Sequence, residues 1–81
     1  MTIHILFFAA YREFLGQGDL TLQLSEGATV ADLLRILWDR GGAFTMLPAN
    51  PVVAVNREFA SLERELEEGD EVAFVPPVAG G

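Results

Sequence analysis

The stretch SEGATVADLLRILWDRGG, residues 25 to 42, separates two groups of strand-like segments and carries the clearest helix pattern in the chain. Thr29 suits the N-cap position, and Asp32 follows three residues later, near the positive end of the helix dipole. Apolar side chains recur at helical spacing on one stripe: Val30, Leu33, Leu34, Leu37 and Trp38. Gly41 and Gly42 end the pattern. We predict one amphipathic helix that packs on a sheet, with Trp38 taking part in that packing.

Two strand-like segments precede this helix. In TIHILFFA, residues 2 to 9, alternation places one set of side chains inward (Ile3, Ile5, Phe7) and the other outward (His4, Leu6, Phe8). DLTLQL, residues 19 to 24, alternates cleanly and turns its leucines inward. The link between them, AYREFLG at residues 10 to 16, favours a single helical turn. It is too short for a parallel crossover, so we expect an antiparallel pair.

Two further strands follow the helix. Residues 43 to 51 contain Pro48 and Pro51 and are interpreted as a loop. VVAVN, residues 52 to 56, and EVAFVP, residues 71 to 76, have strand character. The stretch between them is mostly connection, with a tight turn at Gly69.

The order strand, strand, helix, strand, strand is typical of the α+β class. It predicts a β-grasp, or ubiquitin-like, fold: a mixed sheet of four to five strands with one main helix packed on one face. Residues 1–75 form this domain, and residues 76–81 form an extended, flexible C-terminal tail. If the last strand runs parallel to the first, their outward side chains share one surface.

Composition excludes several kinds of chemistry. The 81 residues carry a net charge of −7 and contain no cysteine, no lysine and one histidine, His4. Thiolate metal sites and lysine Schiff-base chemistry are therefore excluded, and we expect no bound metal. The acidic balance disfavours nucleic acid and favours basic protein partners. With no apolar run long enough for a membrane and no visible leader, we expect a cytoplasmic protein.

The tail has an unusual composition. Pro76 and Pro77 cannot donate to a sheet ladder, so they end pairing and stiffen the chain. The residues after them are small: Val78, Ala79, Gly80 and Gly81. Fully extended, these six residues reach about 20 Å, enough to enter another protein's active site. We interpret the tail as the working part, with the Gly81 carboxylate as its reactive group after activation; the alternative is a disordered end without a role.

Three stretches carry a family likeness: LFFAAYREFLG at residues 6 to 16, VAVNREF at residues 53 to 59, and LEEGDEVAFVPPVAGG at residues 66 to 81. With them the chain resembles the MoaD/ThiS family of ubiquitin-like sulfur carriers along its whole length. The GDEVAF-PPV-GG pattern is most similar to the branch that serves as small subunits of molybdopterin synthases.

The resemblance implies a sulfur-carrying role rather than a catalytic one. A ubiquitin-activating-type adenylyltransferase would adenylate Gly81, next to Gly80, so that ATP-derived AMP is held transiently as an acyl-adenylate and no cofactor is bound permanently. A sulfur donor protein would convert this end to a thiocarboxylate. The sulfur would then pass to cyclic pyranopterin monophosphate (precursor Z) in the large subunit, within a heterotetramer whose catalytic side chains belong to that subunit.

The resemblance also implies a docking surface. Its apolar residues map to Phe8, Phe59 and Val75, with Arg12 near an acidic or carboxylate partner. The tail residues expected to contact the partner are Pro76, Pro77, Val78 and Ala79. Three charged side chains are expected to form rim ion pairs: Glu58, Arg64 and Asp70.

Two alternatives remain open at this point. One is a related carrier or modifier that uses the same activated glycine for tRNA thiolation or thiamine synthesis. The other is a non-catalytic β-grasp interaction module with an idle terminus. Deletion of Gly81 separates this last alternative from the other two, because an idle terminus predicts little effect.

Overall fold

The computed structural model of the chain describes residues 1–76, which contain five strands, two α-helices and a 3₁₀ helix. In chain order these are β1 (Thr2–Phe7), α1 (Ala9–Leu15), β2 (Asp19–Gln23), α2 (Val30–Asp39), the 3₁₀ helix (Gly42–Met46), β3 (Val52–Val55), β4 (Glu58–Ala60) and β5 (Glu71–Val75). The tail residues Pro77, Val78, Ala79, Gly80 and Gly81 lie outside the described residues.

The five strands form one mixed sheet in the order β2-β1-β5-β3-β4. β1 pairs with β2 in the antiparallel sense, as the short link predicted, and with β5 in the parallel sense. β3 lies antiparallel to both β5 and β4. The predicted α+β, β-grasp architecture is confirmed, and the parallel pairing of β1 and β5 meets the condition under which their outward side chains share one surface.

The main helix, α2, begins and packs as its sequence indicated. Thr29 Oγ1 accepts a hydrogen bond from the Asp32 backbone N–H at 3.2 Å, and Asp32 Oδ2 accepts one from the Thr29 N–H at 2.9 Å. This is a complete capping box. Hydrogen bonds from Thr29 lower the pKa of the Asp32 carboxyl, because they stabilise its charged form. The buried stripe of the helix consists of Val30, Leu33, Leu34 and Leu37.

The core lies between α2 and the inner face of the sheet. The inward set of β1 is buried as predicted, and Phe7 packs against Phe74 of β5 with ring centroids 5.6 Å apart. Trp38 is half-buried at the edge of this core and donates from Nε1 to the Leu47 carbonyl at 2.9 Å. The predicted packing role of Trp38 is therefore confirmed, and the hydrogen bond satisfies its one polar group.

A seven-residue helix, α1, replaces the single turn predicted after β1. It ends at Gly16, whose φ of 77° is a left-handed conformation that glycine adopts readily. Tyr11 on this helix is buried, and its ring centroid lies 5.7 Å from that of Phe14. Burial also raises the pKa of the Tyr11 hydroxyl. Tertiary packing of Tyr11 stabilises a helix too short to form by itself.

Two more elements lie in segments predicted as connections. The 3₁₀ helix occupies the start of the loop at residues 43 to 51, where Phe44 packs edge-on against Phe7 at 6.1 Å. β4 follows a two-residue turn in which Asn56 and Arg57 have φ of 50° and 71°. Both values are left-handed, as a type I′ hairpin turn requires. β4 is not evident from the sequence, because Arg57 stands where such turns usually have glycine.

Candidate functional site

One face of the sheet is buried under α2, and we call the opposite face the open face. Its side chains come from the outward positions of each strand, and several are exposed, among them His4, Val52 and Phe59. Phe8 continues the alternation of β1 in extended backbone, and its N–H donates to the Phe74 carbonyl at 3.4 Å. The predicted outward set of the first strand is therefore confirmed in orientation.

The strand register arranges the open face in rows. One row crosses four strands, because Phe59 lies opposite Ala54, Ala54 opposite Ala73, and Ala73 opposite Leu6. The next row contains Val52 opposite Val75, with Phe8 beside them in the continuation of β1. Directly paired residues project to the same side of a sheet. We call these side chains the apolar half of the open face: Leu6, Phe8, Val52, Ala54, Phe59, Ala73 and Val75.

The other half of the open face is polar. His4 lies opposite both Thr21 and Glu71, and the Thr21 hydroxyl is 3.4 Å from His4 Nδ1. Asp19 ends the row of Leu6 at the edge strand β2. The apolar half of the open face lies toward the C-terminal end of β5, where Pro76 follows. A partner that covers the apolar half therefore lies beside the point where the tail begins.

The structure brings the three predicted docking residues to one surface. Phe59 is 80% exposed, Phe8 is 47% exposed, and Val75 is half-buried beside them. Exposed aromatic side chains that share a face are typical of protein-binding surfaces. Their contact with a partner stays a prediction.

Sequence reasoning missed part of the apolar half. Val52 is 45% exposed, and the small side chain of Ala54 lies beside it on β3. The alternation of VVAVN contains the signal for both, because Val53 and Val55 are buried on the opposite side. Leu6 and Ala73 join the surface through the parallel pairing of β1 and β5.

Arg12 lies on α1 and is exposed. Its guanidinium packs over Gly18, where an added Cβ would come within 3.1 Å of Arg12 Nε. A shallow cleft surrounds it, lined also by Glu13 and Gln17. Within residues 1–76, Arg12 makes no ion pair, so its guanidinium is available to an outside carboxylate.

The expectation of a rim ion pair is wrong for Asp70 and stays a prediction for Glu58 and Arg64. Asp70 is buried and accepts hydrogen bonds from Asn56 Nδ2 and from the Glu67 N–H, each at 2.8 Å. These bonds satisfy its carboxylate inside the fold, so it takes no part in a surface pair. In the part of the chain that the structure describes, Glu58 and Arg64 are exposed and unpaired, and the ion pair present joins Arg35 to Asp32 at 3.9 Å.

The chain matches the model of a known protein family over most of its length. The model of the ThiS family matches residues 5–81. The chain belongs to the ThiS family. This confirms the resemblance that the three sequence stretches indicated.

Relatives of this ThiS-family chain include carriers and modifiers. It is 36% identical over 83 residues to the "Molybdopterin synthase sulfur carrier subunit" of Chlamydomonas reinhardtii, with 100% of both chains covered. It is also 36% identical over 93 residues to the "Small archaeal modifier protein 3" of Haloferax volcanii, again with 100% of both covered. Among solved structures, the crystal structure of SAMP1 from Haloferax volcanii superimposes with a TM-score of 0.86 at 28% identity over 100% of both chains.

The described part of this ThiS-family chain has a surface suited to binding. Within residues 1–76, no helix is long and apolar enough to cross a membrane, and no group of three or more acidic or histidine side chains is arranged to hold a metal ion. The apolar half offers a surface that a protein partner can desolvate, next to the start of the tail.

Proposed function

We propose that this ThiS-family chain is the sulfur carrier subunit of a molybdopterin synthase in molybdenum cofactor biosynthesis. One observation carries the proposal: the apolar half of the open face lies at the end of β5 that leads into Pro76 and the Gly-Gly tail. A docked partner therefore receives the tail from a neighbouring point on the same surface. The full-length likeness to chains named as such carriers supports this assignment.

The proposed chemistry takes place at the Gly81 carboxylate. An adenylyltransferase joins this carboxylate to the α-phosphate of ATP and releases pyrophosphate, which leaves an acyl-adenylate. The terminal sulfur of a persulfide on a sulfur donor protein then attacks the carbonyl, displaces AMP and forms an acyl disulfide. A second thiol of the donor cleaves this S–S bond, which releases the thiocarboxylate and leaves a disulfide on the donor. The chain holds neither cysteine nor lysine, so no thiol or amine side chain of its own competes for the activated carbonyl.

The proposed partner at the apolar half is the large synthase subunit. Its catalytic side chains would transfer the sulfur to cyclic pyranopterin monophosphate, and two carrier chains would serve one large-subunit dimer in a heterotetramer. Fully extended, residues 76 to 81 reach about 20 Å from the end of β5. This length lets Gly81 enter the large subunit's active site while Phe8, Phe59 and Val75 stay docked outside. Arg12 would pair with a carboxylate of the partner at the rim.

Intact mass spectrometry tests the proposal. After incubation with ATP, the adenylyltransferase and a sulfur donor, we expect a mass gain equal to the replacement of one oxygen by sulfur, located at Gly81 by fragmentation. Addition of the large subunit and cyclic pyranopterin monophosphate should return the chain to its original mass and yield molybdopterin. A chain that gains sulfur but yields no molybdopterin would contradict the assignment to this synthase.

A second candidate function is that of a protein modifier. The likeness to small archaeal modifier proteins in sequence and structure favours it. In this case the same acyl-adenylate reacts with a lysine amine of another protein, releases AMP and forms an isopeptide bond. Conjugates at lysines as the sole product, without molybdopterin, would decide for the modifier.

A further inference from the structure

The floor of the apolar half is made of two alanines. Ala54 of β3 and Ala73 of β5 lie directly opposite each other, and both project onto the open face. Larger side chains flank the two alanines within their row, Phe59 on β4 and Leu6 on β1. Ala73 faces outward and yet is 9% exposed, because taller neighbours surround it. The centre of the binding surface is therefore a depression and not a flat patch.

The dimensions of this depression suit one large side chain. Adjacent strands lie about 4.8 Å apart, so the backbones at Phe59 and Leu6 are separated by about 14 Å across three strand spacings. Along the strands, Val52 flanks Ala54 and Val75 flanks Ala73 at one end, where the next row begins. The depression is thus walled by apolar side chains on three sides and is wide enough for a leucine, methionine or phenylalanine.

The close packing of protein interfaces indicates how a partner must fit the depression. A flat partner surface resting on Phe59, Leu6 and Val75 would leave an empty space above the two methyl groups. Voids of this kind lose dispersion contacts, and binding surfaces pack as densely as protein interiors. A partner that covers this face tightly must therefore place a side chain into the depression.

The negative charge at the border of the depression indicates which kind of residue lies beside that side chain on the partner. On the fourth side of the depression, Glu71 lies two residues before Ala73 on the same face of β5. Within the described residues, Glu71 makes no ion pair, and the whole chain carries a net charge of −7. A partner docking here meets a negative border, which favours lysine or arginine at that position.

We propose that Ala54 and Ala73 form a socket for one bulky apolar side chain of the large subunit, with a basic residue beside it that pairs with Glu71. This inference rests on the proposed function, since that function supplies the partner. It adds that Ala54 and Ala73 determine specificity by their small size.

Substitution of Ala54 by a larger residue tests the socket, because a socket and a flat patch predict different changes in affinity. Ala54→Leu adds apolar surface to the face, so a flat hydrophobic patch would bind the large subunit equally well or more tightly. A socket would instead be blocked, and the dissociation constant measured by calorimetric titration should rise about tenfold or more, as one overpacked side chain costs. Thr21→Leu is the matched control: it adds an apolar side chain to the polar half and should change affinity by less than about twofold.

Further variants keep the test decisive. Ala54→Val retains strand propensity and should weaken binding less than Ala54→Leu, with an unchanged thermal midpoint as the check on folding. Glu71→Gln should weaken binding at low salt and lower the salt dependence of binding. An unchanged affinity would overturn the claim that a basic residue of the partner pairs with Glu71. If the wild-type chain binds and Ala54→Leu binds as well or better, the socket is overturned while the proposed function stands. If the wild-type chain does not bind the large subunit at all, both are overturned.

Discussion

Asn56 donates a hydrogen bond from Nδ2 to Oδ1 of Asp70 over 2.8 Å, and this bond joins the β3–β4 turn to the residue before β5. Asn56 also accepts a hydrogen bond at Oδ1 from the Glu71 N–H at 3.0 Å. Together these bonds hold the left-handed turn, and with it the strand that carries Phe59, against the start of β5. A buried carboxylate thus positions Phe59, the most exposed aromatic residue of the apolar half.

Replacement of Asp70 tests this arrangement. Asp70→Ala leaves the Asn56 amide and the Glu67 N–H without their partner, so we expect a loss of about 1–3 kcal/mol in the free energy of unfolding. Urea denaturation measures this loss, and Glu63→Ala at an exposed position serves as the control. An Asp70→Ala chain as stable as the control would show that the network adds nothing to the fold.

The capping box of α2 predicts a dependence of stability on pH. Because the folded state lowers the pKa of Asp32, stability from this group is present above its unfolded pKa and is lost as pH falls through its lower folded pKa. We expect the difference in unfolding free energy between the wild type and Asp32→Asn to shrink on acidification across that window. A difference that stays constant with pH would contradict the role of the charged cap.

A charge at the binding surface tests the docking face. Phe59→Asp places a carboxylate where the partner must remove water, so we expect affinity for the large subunit to fall by about 2 kcal/mol or more. Phe14→Asp is the matched control, because Phe14 is an exposed phenylalanine on α1, outside the apolar half. Equal losses in both variants would mean that the effect is general and that the open face is not the docking surface.

Arg12 allows a test of the rim contact. We expect Arg12→Gln to weaken binding to the large subunit and to reduce its salt dependence, because one charge-assisted hydrogen bond to a carboxylate is lost. Arg35→Gln removes the same charge from α2, which covers the buried face of the sheet, and should leave affinity unchanged. Titrations at low and high ionic strength separate the two cases. A similar small effect of both variants would indicate general charge attraction.

Deletion of Gly81 tests the working end of the tail. The new terminal carboxylate, on Gly80, would fall about 3.5 Å short of its position in the full chain. We expect loss of the sulfur mass gain, while thermal stability and affinity for the large subunit remain close to those of the wild type. Retained thiocarboxylate formation would count against the proposed position of the reactive group. If the shortened chain forms no thiocarboxylate and molybdopterin is still produced, an idle terminus is favoured.

Features that depend on local spacing were predicted from the sequence. The N-cap at Thr29, the position of Asp32 in the first turn and the apolar stripe of α2 follow from residues three or four positions apart. The outward direction of Phe8 follows from the alternation of β1 in the same way. Each needs no knowledge of distant residues, and the element order then restricted the fold to a β-grasp.

Features that depend on distant pairing were decided by the tertiary structure. Ala73 lies beside Leu6 and Ala54 because β5 enters the sheet between β1 and β3, and no local pattern specifies that register. The sequence indicated a surface charge at Asp70, and the turn at Asn56 makes it a buried acceptor. The family, and a hypothesis for the chemistry of the tail, were therefore accessible from the order of residues along the chain. The shape of the binding surface was not, because that surface is formed by residues far apart in sequence whose proximity depends on strand pairing and burial.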